Sequence, residues 1–293
     1  MSTKQMVRPF SAVSRLVLAV MFLAIATSAR AESITVLTIS NNLLTFDSAT
    51  PGNITSTVGV TGLQALENLL AIDFQPATGL LYGLGSSSLL YIINPTTGVA
   101  TQVGSAGEFN LLGQDFGFDF NPTVDRIRVV SDADQNIRLN PNNGTLTATD
   151  TALNPGNPNV VGSAYTNNFA GALSTTLYGI DSSLDALVLQ NPPNGGTLAL
   201  IGPLGFGTTG FVGFDISGLT GIAYAALNPP GAAVSELFII NLTTGAATLV
   251  GTIGGGQIVR GLAAPIGVTA VPEPATLLLV ASGALALCRR RSP

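Results

Sequence analysis

The stretch Leu89–Gly104, LLYIINPTTGVATQVG, places an apolar run, a tight turn and an alternating run in succession. The turn has a local reason: Asn94 can cap its own backbone, Pro95 fixes φ, and Gly98 accepts a positive φ. Similar turns begin at residues 47, 94, 140, 191 and 241, so the pattern recurs roughly every 50 residues, a period typical of β-propeller blades.

Each repeat divides into four short β-rich runs bounded by Gly, Pro, Asn and Asp, the pattern of strands and hairpins. In the second repeat the predicted strands are Leu69–Phe74, Leu80–Leu84, Leu89–Ile93 and Val99–Val103. The first repeat has no innermost strand of its own, but Gln257–Pro265 resembles one. We expect that segment to pair beside the N-terminal strands and to close a ring, which would protect the sheet edges.

The sequence therefore predicts an all-β fold, a single β-propeller of five four-stranded blades over residues 33–268. Two alternatives remain open at this point, a six-bladed ring with one degenerate blade and an open β-solenoid. Composition agrees with strands and tight turns, since the 293 residues include 34 Gly and 17 Pro and 46% are hydrophobic. Solenoids usually have shorter repeats, which favours the propeller.

Charge is sparse and acidic in the predicted domain. Between Glu32 and Ala270 the chain has four arginines and no lysine or histidine, against 15 acidic residues. This balance excludes a nucleic-acid partner. It would also repel anionic lipid, so we expect membrane contact only through the C-terminal segment.

Both ends of the chain carry targeting patterns. Residues 1–31 combine basic residues, an apolar core and a small-residue motif, Ala29-Arg30-Ala31, and this predicts a signal peptide cut by signal peptidase after Ala31. Near the other end, Pro272-Glu273-Pro274 precedes a short apolar segment and three arginines. Arginines at this position would hold the end of the segment in the cytoplasm. The arginines are Arg289, Arg290 and Arg291.

This C-terminal pattern resembles the PEP-CTERM sorting signal of Gram-negative, exopolysaccharide-producing bacteria. The resemblance assigns residues 269–293 to the signal, with a short transmembrane segment at 275–288. It implies processing by an exosortase-type enzyme and export to the cell envelope, the cell surface or the extracellular matrix. A plain C-terminal anchor is the alternative, and it too places the domain outside the cytoplasm.

Catalytic residue types are scarce. The only cysteine, Cys288, lies in the tail, and the chain has no histidine. Neither a Ser-His-Asp nor a Cys-His arrangement is available, and no imidazole can bind zinc. Only carboxylate or calcium-assisted chemistry, such as glycoside cleavage by two acids, remains open.

Three predicted first strands share an acid near their ends: Asp73, Asp119 and Asp215. First strands line the axis of a propeller, so these carboxylates could converge on a cation, for which oxygen-rich Ca²⁺ coordination would be natural. The alternative is that each Asp accepts backbone N–H bonds in every repeat because the blade repeats. The motif Asp132-Ala-Asp-Gln-Asn136 opens like a calcium loop but lacks its glycine and its final Glu, which favours a hairpin turn.

Three of the domain's four arginines, Arg126, Arg128 and Arg138, fall in the third repeat. Alternation places the first two on one strand face, and a hairpin could bring Arg138 near them. They predict a binding site for an anionic group such as a uronic acid, because Arg binds carboxylate bidentately. The alternative is a local ion-pair network with neighbouring acids. Those acids are Asp125, Asp132 and Asp134.

The segment Phe118–Pro141 resembles the secreted bacterial proteins grouped as domain of unknown function 4394, and the similarity extends over most of residues 34–268. It implies fold and export and supplies no catalytic residues. We therefore expect a non-catalytic, exported propeller that binds an extracellular polysaccharide or a surface protein. The alternatives are a calcium-dependent hydrolase or lyase acting on extracellular polysaccharide, with the three acids near its axis, and a purely structural matrix protein.

Overall fold

The β-strands of the structure fall into five separate antiparallel sheets of four strands each. The structure is a computed structural model and describes residues 31–267. Apart from one 3-10 turn at Pro193–Gly195, its regular elements are all strands. In chain order they are β1 (Ser33–Thr38), β2 (Asn42–Asp47), β3 (Ile54–Gly59), β4 (Leu69–Phe74), β5 (Leu81–Gly85), β6 (Leu89–Ile93), β7 (Ala100–Val103), β8 (Phe116–Asn121), β9 (Arg126–Ser131), β10 (Asn136–Leu139), β11 (Leu146–Thr149), β12 (Val160–Tyr165), β13 (Leu177–Asp181), β14 (Ala186–Gln190), β15 (Leu198–Pro203), β16 (Val212–Ile216), β17 (Ala223–Leu227), β18 (Glu236–Ile240), β19 (Ala247–Thr252) and β20 (Val259–Ala263).

Each sheet is one blade of a five-bladed β-propeller. Blade 1 is β20-β1-β2-β3, and blades 2 to 5 follow as β4–β7, β8–β11, β12–β15 and β16–β19. The innermost strands β20, β4, β8, β12 and β16 contact one another in sequence around the axis. The predicted fold class and blade count are confirmed.

The ring is closed by a strand from the far end of the domain. Strand β20 pairs antiparallel with β1, with Thr35 opposite Ala263 and Leu37 opposite Gly261. This is the segment that the sequence places there, since β20 lies inside Gln257–Pro265. Because blade 1 takes strands from both ends, the edge of β1 is paired and not open.

The hydrophobic core consists of layers between neighbouring blades. Four of the layers contain ten or more buried residues each, for example Phe118, Phe120 and Tyr82 between blades 2 and 3. The layer between blades 3 and 4 has a smaller cluster. Its buried members are Val130, Leu153, Val160 and Val188. Polar side chains fill the remaining space in that layer.

The innermost strands approach closely because a glycine occurs where they meet. At Gly213 of β16, an added Cβ would lie 2.7 Å from the backbone of β20 at Gly261 and Leu262. This distance is below any normal contact, so only a residue without a side chain fits. Blades 1, 3 and 4 have Gly261, Gly117 and Gly162 at the matching place, and blade 2 has Ala71.

The repeated turn joins the third and fourth strands of each blade and also contacts the preceding blade. Gly98 has φ +75°, and an added Cβ would overlap the carbonyl oxygen of Gly59 in blade 1. The N–H of Thr61 donates to the Gly98 carbonyl at 2.9 Å, and the N–H of Ala100 donates back to the Thr61 carbonyl at 2.8 Å. The glycine of the turn is therefore needed both for φ and for this close approach between blades.

Candidate functional site

Three buried carboxylates meet at the axis of the propeller. Asp73, Asp119 and Asp215 lie near the ends of β4, β8 and β16, and each is only 1% exposed. One oxygen from each lies within 4.8 Å of those of the other two. The structure thus brings together the three acids that the sequence singled out, and it encloses them.

Two of these acids bind the backbone of their own strand and of the next blade. Asp73 accepts the N–H of Phe74 at 2.7 Å and that of Phe120, in β8, at 2.9 Å. Asp215 accepts the N–H of Ile216 at 2.6 Å and that of Ala264, just past β20, at 2.7 Å. Each carboxylate therefore joins two inner strands, as the backbone-bonding alternative predicts.

Asp119 differs from the other two acids. Neither of its carboxylate oxygens has a hydrogen-bond partner in the structure, although both are buried. The N–H of Tyr165, in β12, lies near enough to lower the pKa of Asp119 but forms no hydrogen bond of ordinary geometry with it. A buried carboxylate without a partner is rare in native proteins.

The pKa values of all three acids are raised. Burial is the largest cause for each. The Asp215 carboxylate raises the pKa of Asp73 further, and those of Asp73 and Asp215 raise that of Asp119. The pKa of Asp215 is raised to about 7, because burial outweighs the hydrogen bonds from the Ala264 and Ile216 N–H groups. Such a cluster can retain a proton near neutral pH or hold a hard cation through its oxygens.

A small cavity lies among the inner strands, lined by chain neighbours of the three acids, such as Ile72, Phe118 and Phe214, but not by the acids themselves. Its volume is about 10 Å³, which is room for about one water molecule. It is lined by residues of all five inner strands, among them Ser163 and Arg260. The Ser163 hydroxyl and the Arg260 Nε are buried without a hydrogen-bond partner.

A second buried charged group sits between blades 3 and 4. Arg128 of β9 is 1% exposed and is the largest of the fully buried side chains. Its guanidinium donates to the Asp150 carboxylate at 2.5 Å and to the side-chain oxygens of Asn136 at 2.7 Å and Asn194 at 2.6 Å. A longer contact, at 3.4 Å, joins its Nε to the Tyr165 hydroxyl. This network occupies the layer in which the apolar cluster is smallest.

Arg138 shares Asp150 with Arg128. The two arginines are directly opposite in the β9–β10 register, as the hairpin prediction requires. Arg138 donates to both Asp150 oxygens, at 2.8 and 2.9 Å. Burial tends to raise the pKa of Asp150, but hydrogen bonds from Arg138 and Arg128 outweigh it and lower the pKa.

Arg126 does not join this network. Its guanidinium donates to the backbone carbonyls of Asp125, at 2.8 Å, and Val124, and no ion pair of Arg126 occurs within residues 31–267. The ion pairs of the other two arginines form with Asp150 and not with the acids expected from the sequence. Whether any of the three arginines binds a ligand stays a prediction.

The acids beside those arginines have other roles. Asp125 accepts the side-chain amide of Gln75 at 2.8 Å. Asp132 accepts the Gln114 N–H at 2.9 Å. The segment from Asp132 to Asn136 forms the hairpin between β9 and β10, where the Ser131 hydroxyl oxygen accepts the Ala133 and Gln135 N–H groups. The hairpin interpretation of this motif is confirmed.

Sequence reasoning missed Asp150, Asn194 and Tyr165. Asp150 follows β11 in the same blade and reaches Arg128 across the sheet, whereas packing of blade 4 against blade 3 brings Asn194 and Tyr165 to it. For Asn194 the sequence does contain one unusual feature, an altered copy of the repeated turn. The fourth copy of the turn reads NPPNGG, with a second proline and a second glycine. This copy forms the 3-10 turn Pro193–Gly195, and its left-handed residue is Gly196. The altered turn places the Asn194 side chain against Arg128.

An open groove lies on blade 3 next to this network. Its volume is about 350 Å³. The Gln135 side chain holds one wall, since it donates to the Asn110 carbonyl at 2.7 Å and accepts the Leu112 N–H at 3.0 Å. The lining residues include Asn110, Leu112, Asp134, Gln135, Leu146, Thr149 and Asp150.

Comparison with known protein families agrees with this architecture. A family model described as a domain of unknown function, DUF4394, matches residues 42–263, the span from the second strand of blade 1 to the closing strand. The chain belongs to the DUF4394 family. The membership carries no assigned activity.

A second family model, the PEP-CTERM protein-sorting motif, matches residues 270–292. The motif implies export, sorting to the cell envelope and recognition by an exosortase-type enzyme. The predicted signal peptide and the predicted transmembrane segment at 275–288 lie outside the described residues. Within residues 31–267 no helix has the length and apolarity to cross a membrane.

Several solved structures align with this chain at low identity. A Bacteroides thetaiotaomicron protein of unknown function is 15% identical, with a TM-score of 0.47, over 79% of this chain and 64% of that one. The nidogen/laminin complex contains a chain that is 11% identical, with a TM-score of 0.47, over 82% of this chain and all of that one.

PorZ, a surface component of the type-IX secretion system of Porphyromonas gingivalis, is 12% identical with a TM-score of 0.38, over 75% of this chain and 29% of PorZ. The chain thus spans under two thirds of the length of both bacterial structures. No curated protein matches the sequence. At these identities and TM-scores the likenesses carry no argument about function.

Proposed function

We propose that this DUF4394 protein is an exported, non-catalytic binding module whose blade 3 groove takes a segment of an extracellular polysaccharide. The observation that carries the proposal is the groove itself. Its volume of about 350 Å³ falls within the range of small-ligand sites. It lies in the blade that carries three of the domain's four arginines.

The chemistry of the groove suits a neutral, hydroxyl-rich ligand. The Asn110 amide and the Thr149 hydroxyl offer donors and acceptors, and one buried oxygen of Asp134 has no partner in the structure. Leu112 and Leu146, 55% and 39% exposed, present apolar surface against which the face of a sugar ring can pack. Sugars combine these two kinds of surface in one unit.

The charges near the groove favour a neutral glycan over the uronic acid. Arg128 is buried, and Arg138 is held by both oxygens of Asp150. The charge of Arg128 is enclosed, and that of Arg138 is already neutralised by Asp150, which weakens the attraction of either for an anionic ligand. Asp134 adds negative charge to the groove, which disfavours an anionic polymer further.

The burial of the axial acids supports binding without cleavage. Asp73, Asp119 and Asp215 are each 1% exposed, and the cavity among the inner strands, about 10 Å³, is smaller than one sugar unit. A polymer cannot reach them in this arrangement. A hydrolase or lyase that used these acids would have to open its inner strands.

A pair of matched variants tests the proposal. Thr149→Lys fills the groove on blade 3, and Thr101→Lys is the control in a groove of about 380 Å³ on blade 2. Both threonines are exposed and lie in the outermost strand of their blade. We expect saturable binding of the host's neutral exopolysaccharide by calorimetry, lost in the first variant and kept in the second, with no shortening of the polymer. Equal binding by both variants, or a fall in polymer length, would contradict the proposal.

A further inference from the structure

We propose that the axis of the propeller holds one calcium ion between Asp73, Asp119 and Asp215. Their oxygens lie within 4.8 Å of one another, so an ion midway among them lies at most about 2.8 Å from each, and small side-chain shifts bring it to the 2.3–2.6 Å typical of Ca²⁺–oxygen bonds. The site is independent of the blade 3 groove and shares no residue with it.

Unpartnered polar atoms on the same axis support a missing ligand. Both oxygens of Asp119 are buried with no hydrogen-bond partner, and so is the Ser163 hydroxyl of the neighbouring inner strand. Buried polar atoms in native proteins nearly always have a partner, whether protein, water or ion. A cation bound to Asp119 would supply the partner that its oxygens lack, and a water in the cavity that Ser163 lines would supply that of the hydroxyl.

The electrostatic repulsion among the three carboxylates also favours a bound cation. Three buried carboxylates at this separation repel one another, and burial of unpaired charge is costly. The arginine of the innermost strands, Arg260 of β20, forms its ion pair with Asp115 at 3.9 Å and lies over the Phe211 ring. Within residues 31–267 no basic side chain forms an ion pair with the three acids.

The donor set and the space favour calcium over other ions. Carboxylate oxygens select hard cations. Mg²⁺ retains several waters and requires near-octahedral geometry, which carboxylates that are each only 1% exposed do not accommodate; Ca²⁺ accepts the more irregular geometry. The oxygens of Asp73 and Asp215 each accept a single N–H, and this leaves each a lone pair for the ion. An ion bound here would tie blades 2, 3 and 5 together at their inner strands.

Thermal melting of the full-length protein tests this site. Calcium at about 100 times its Kd should raise the melting temperature by about 5–10 °C over that in EDTA. Asp119→Asn removes one ligand charge at constant shape and should abolish the shift. Asp185→Asn is the matched control, since Asp185 lies in the β13–β14 turn and should leave the shift unchanged.

Metal analysis of the protein purified without chelator covers the case in which Asp119→Asn does not fold. One calcium per chain, removed by EDTA, is the expected result. A wild-type melting temperature that is the same in calcium and in EDTA would overturn the proposal. A shift with Mg²⁺ but not with Ca²⁺, or an unaltered calcium shift in Asp119→Asn, would do so as well.

Discussion

Arg128 and Asp150 face each other across 2.5 Å at the boundary of blades 3 and 4, with side chains only 2% and 7% exposed. A buried ion pair is costly to break from one side, because the remaining charge keeps its desolvation penalty. Here the penalty is moderated by Arg138, which also binds Asp150. The pair fills the one blade boundary with a small apolar cluster.

Replacing Arg128 by methionine should therefore destabilise the protein strongly. We expect a loss of about 3–5 kcal/mol in the free energy of unfolding, because Asn136 and Asn194 also lose their donor. Arg126→Met is the matched control in the same strand, and its effect should stay within about 0.5 kcal/mol. Urea unfolding of both variants measures the difference. If both variants lost the same free energy of unfolding, the burial of Arg128 could not be the reason for its contribution to stability.

The stabilisation that comes from Asp150 should depend on pH in a predictable direction. Its pKa is lowered in the folded state, so its contribution is present above the unfolded pKa of about 4 and is lost as the pH falls through the folded value. The gap in melting temperature between wild type and Asp150→Asn should be constant from about pH 5 to 8 and should shrink below about pH 4. An undiminished gap at pH 3 would contradict this assignment.

The closing strand should be indispensable to the fold. A chain truncated before Gln257 loses β20, which leaves β1 paired only with β2 and removes the Ala264 N–H from Asp215. We expect no cooperative unfolding transition by circular dichroism for that chain. Truncation after Gly267 retains β20 and should leave the melting curve of the domain close to that of the intact protein. A cooperative melt in the shorter chain would mean that blade 1 is stable with three strands.

The glycines at the axis should resist substitution for reasons of space. Gly213→Ala forces a Cβ to within 2.7 Å of the backbone of β20, and overpacking of this kind costs about 1–3 kcal/mol. Gly207→Ala is the control, because the nearest atom to its added Cβ is 3.6 Å away, an ordinary contact. Guanidinium unfolding compares the two. Equal stability would mean that the inner strands can separate without cost.

The repeat made most of the fold predictable. The turn that begins at Asn94 marks the boundary between β6 and β7. Because the turn occurs once in each blade, the number of its copies predicts the number of blades. Strand ends were off by one or two residues, as for the predicted Leu80–Leu84, which is Leu81–Gly85 in the structure. Such ends depend on the hydrogen bonds of the neighbouring strand, which a local pattern does not contain.

Of the candidate site, only the residues that occupy the same position in several repeats were predictable. Asp73, Asp119 and Asp215 occupy matching positions, so their convergence at the axis could be expected. The partner of Arg128 and Arg138 could not, because Asp150 follows β11 and reaches the arginines across the sheet of blade 3. The Asn194 contact depends on one altered turn in the next blade, and no spacing rule links it to Arg128.

Closure of the ring by β20 also constrains when blade 1 can be completed during synthesis and export. The strand that completes blade 1 is among the last parts of the domain to leave a ribosome or a translocation channel, and its partner β1 is the first. Contacts between distant parts of a chain form slowly, so the first three strands must wait with an open edge until export is nearly finished. The sorting motif begins at residue 270, shortly after β20 ends at Ala263. The closing strand and the sorting motif therefore leave the translocation channel almost together.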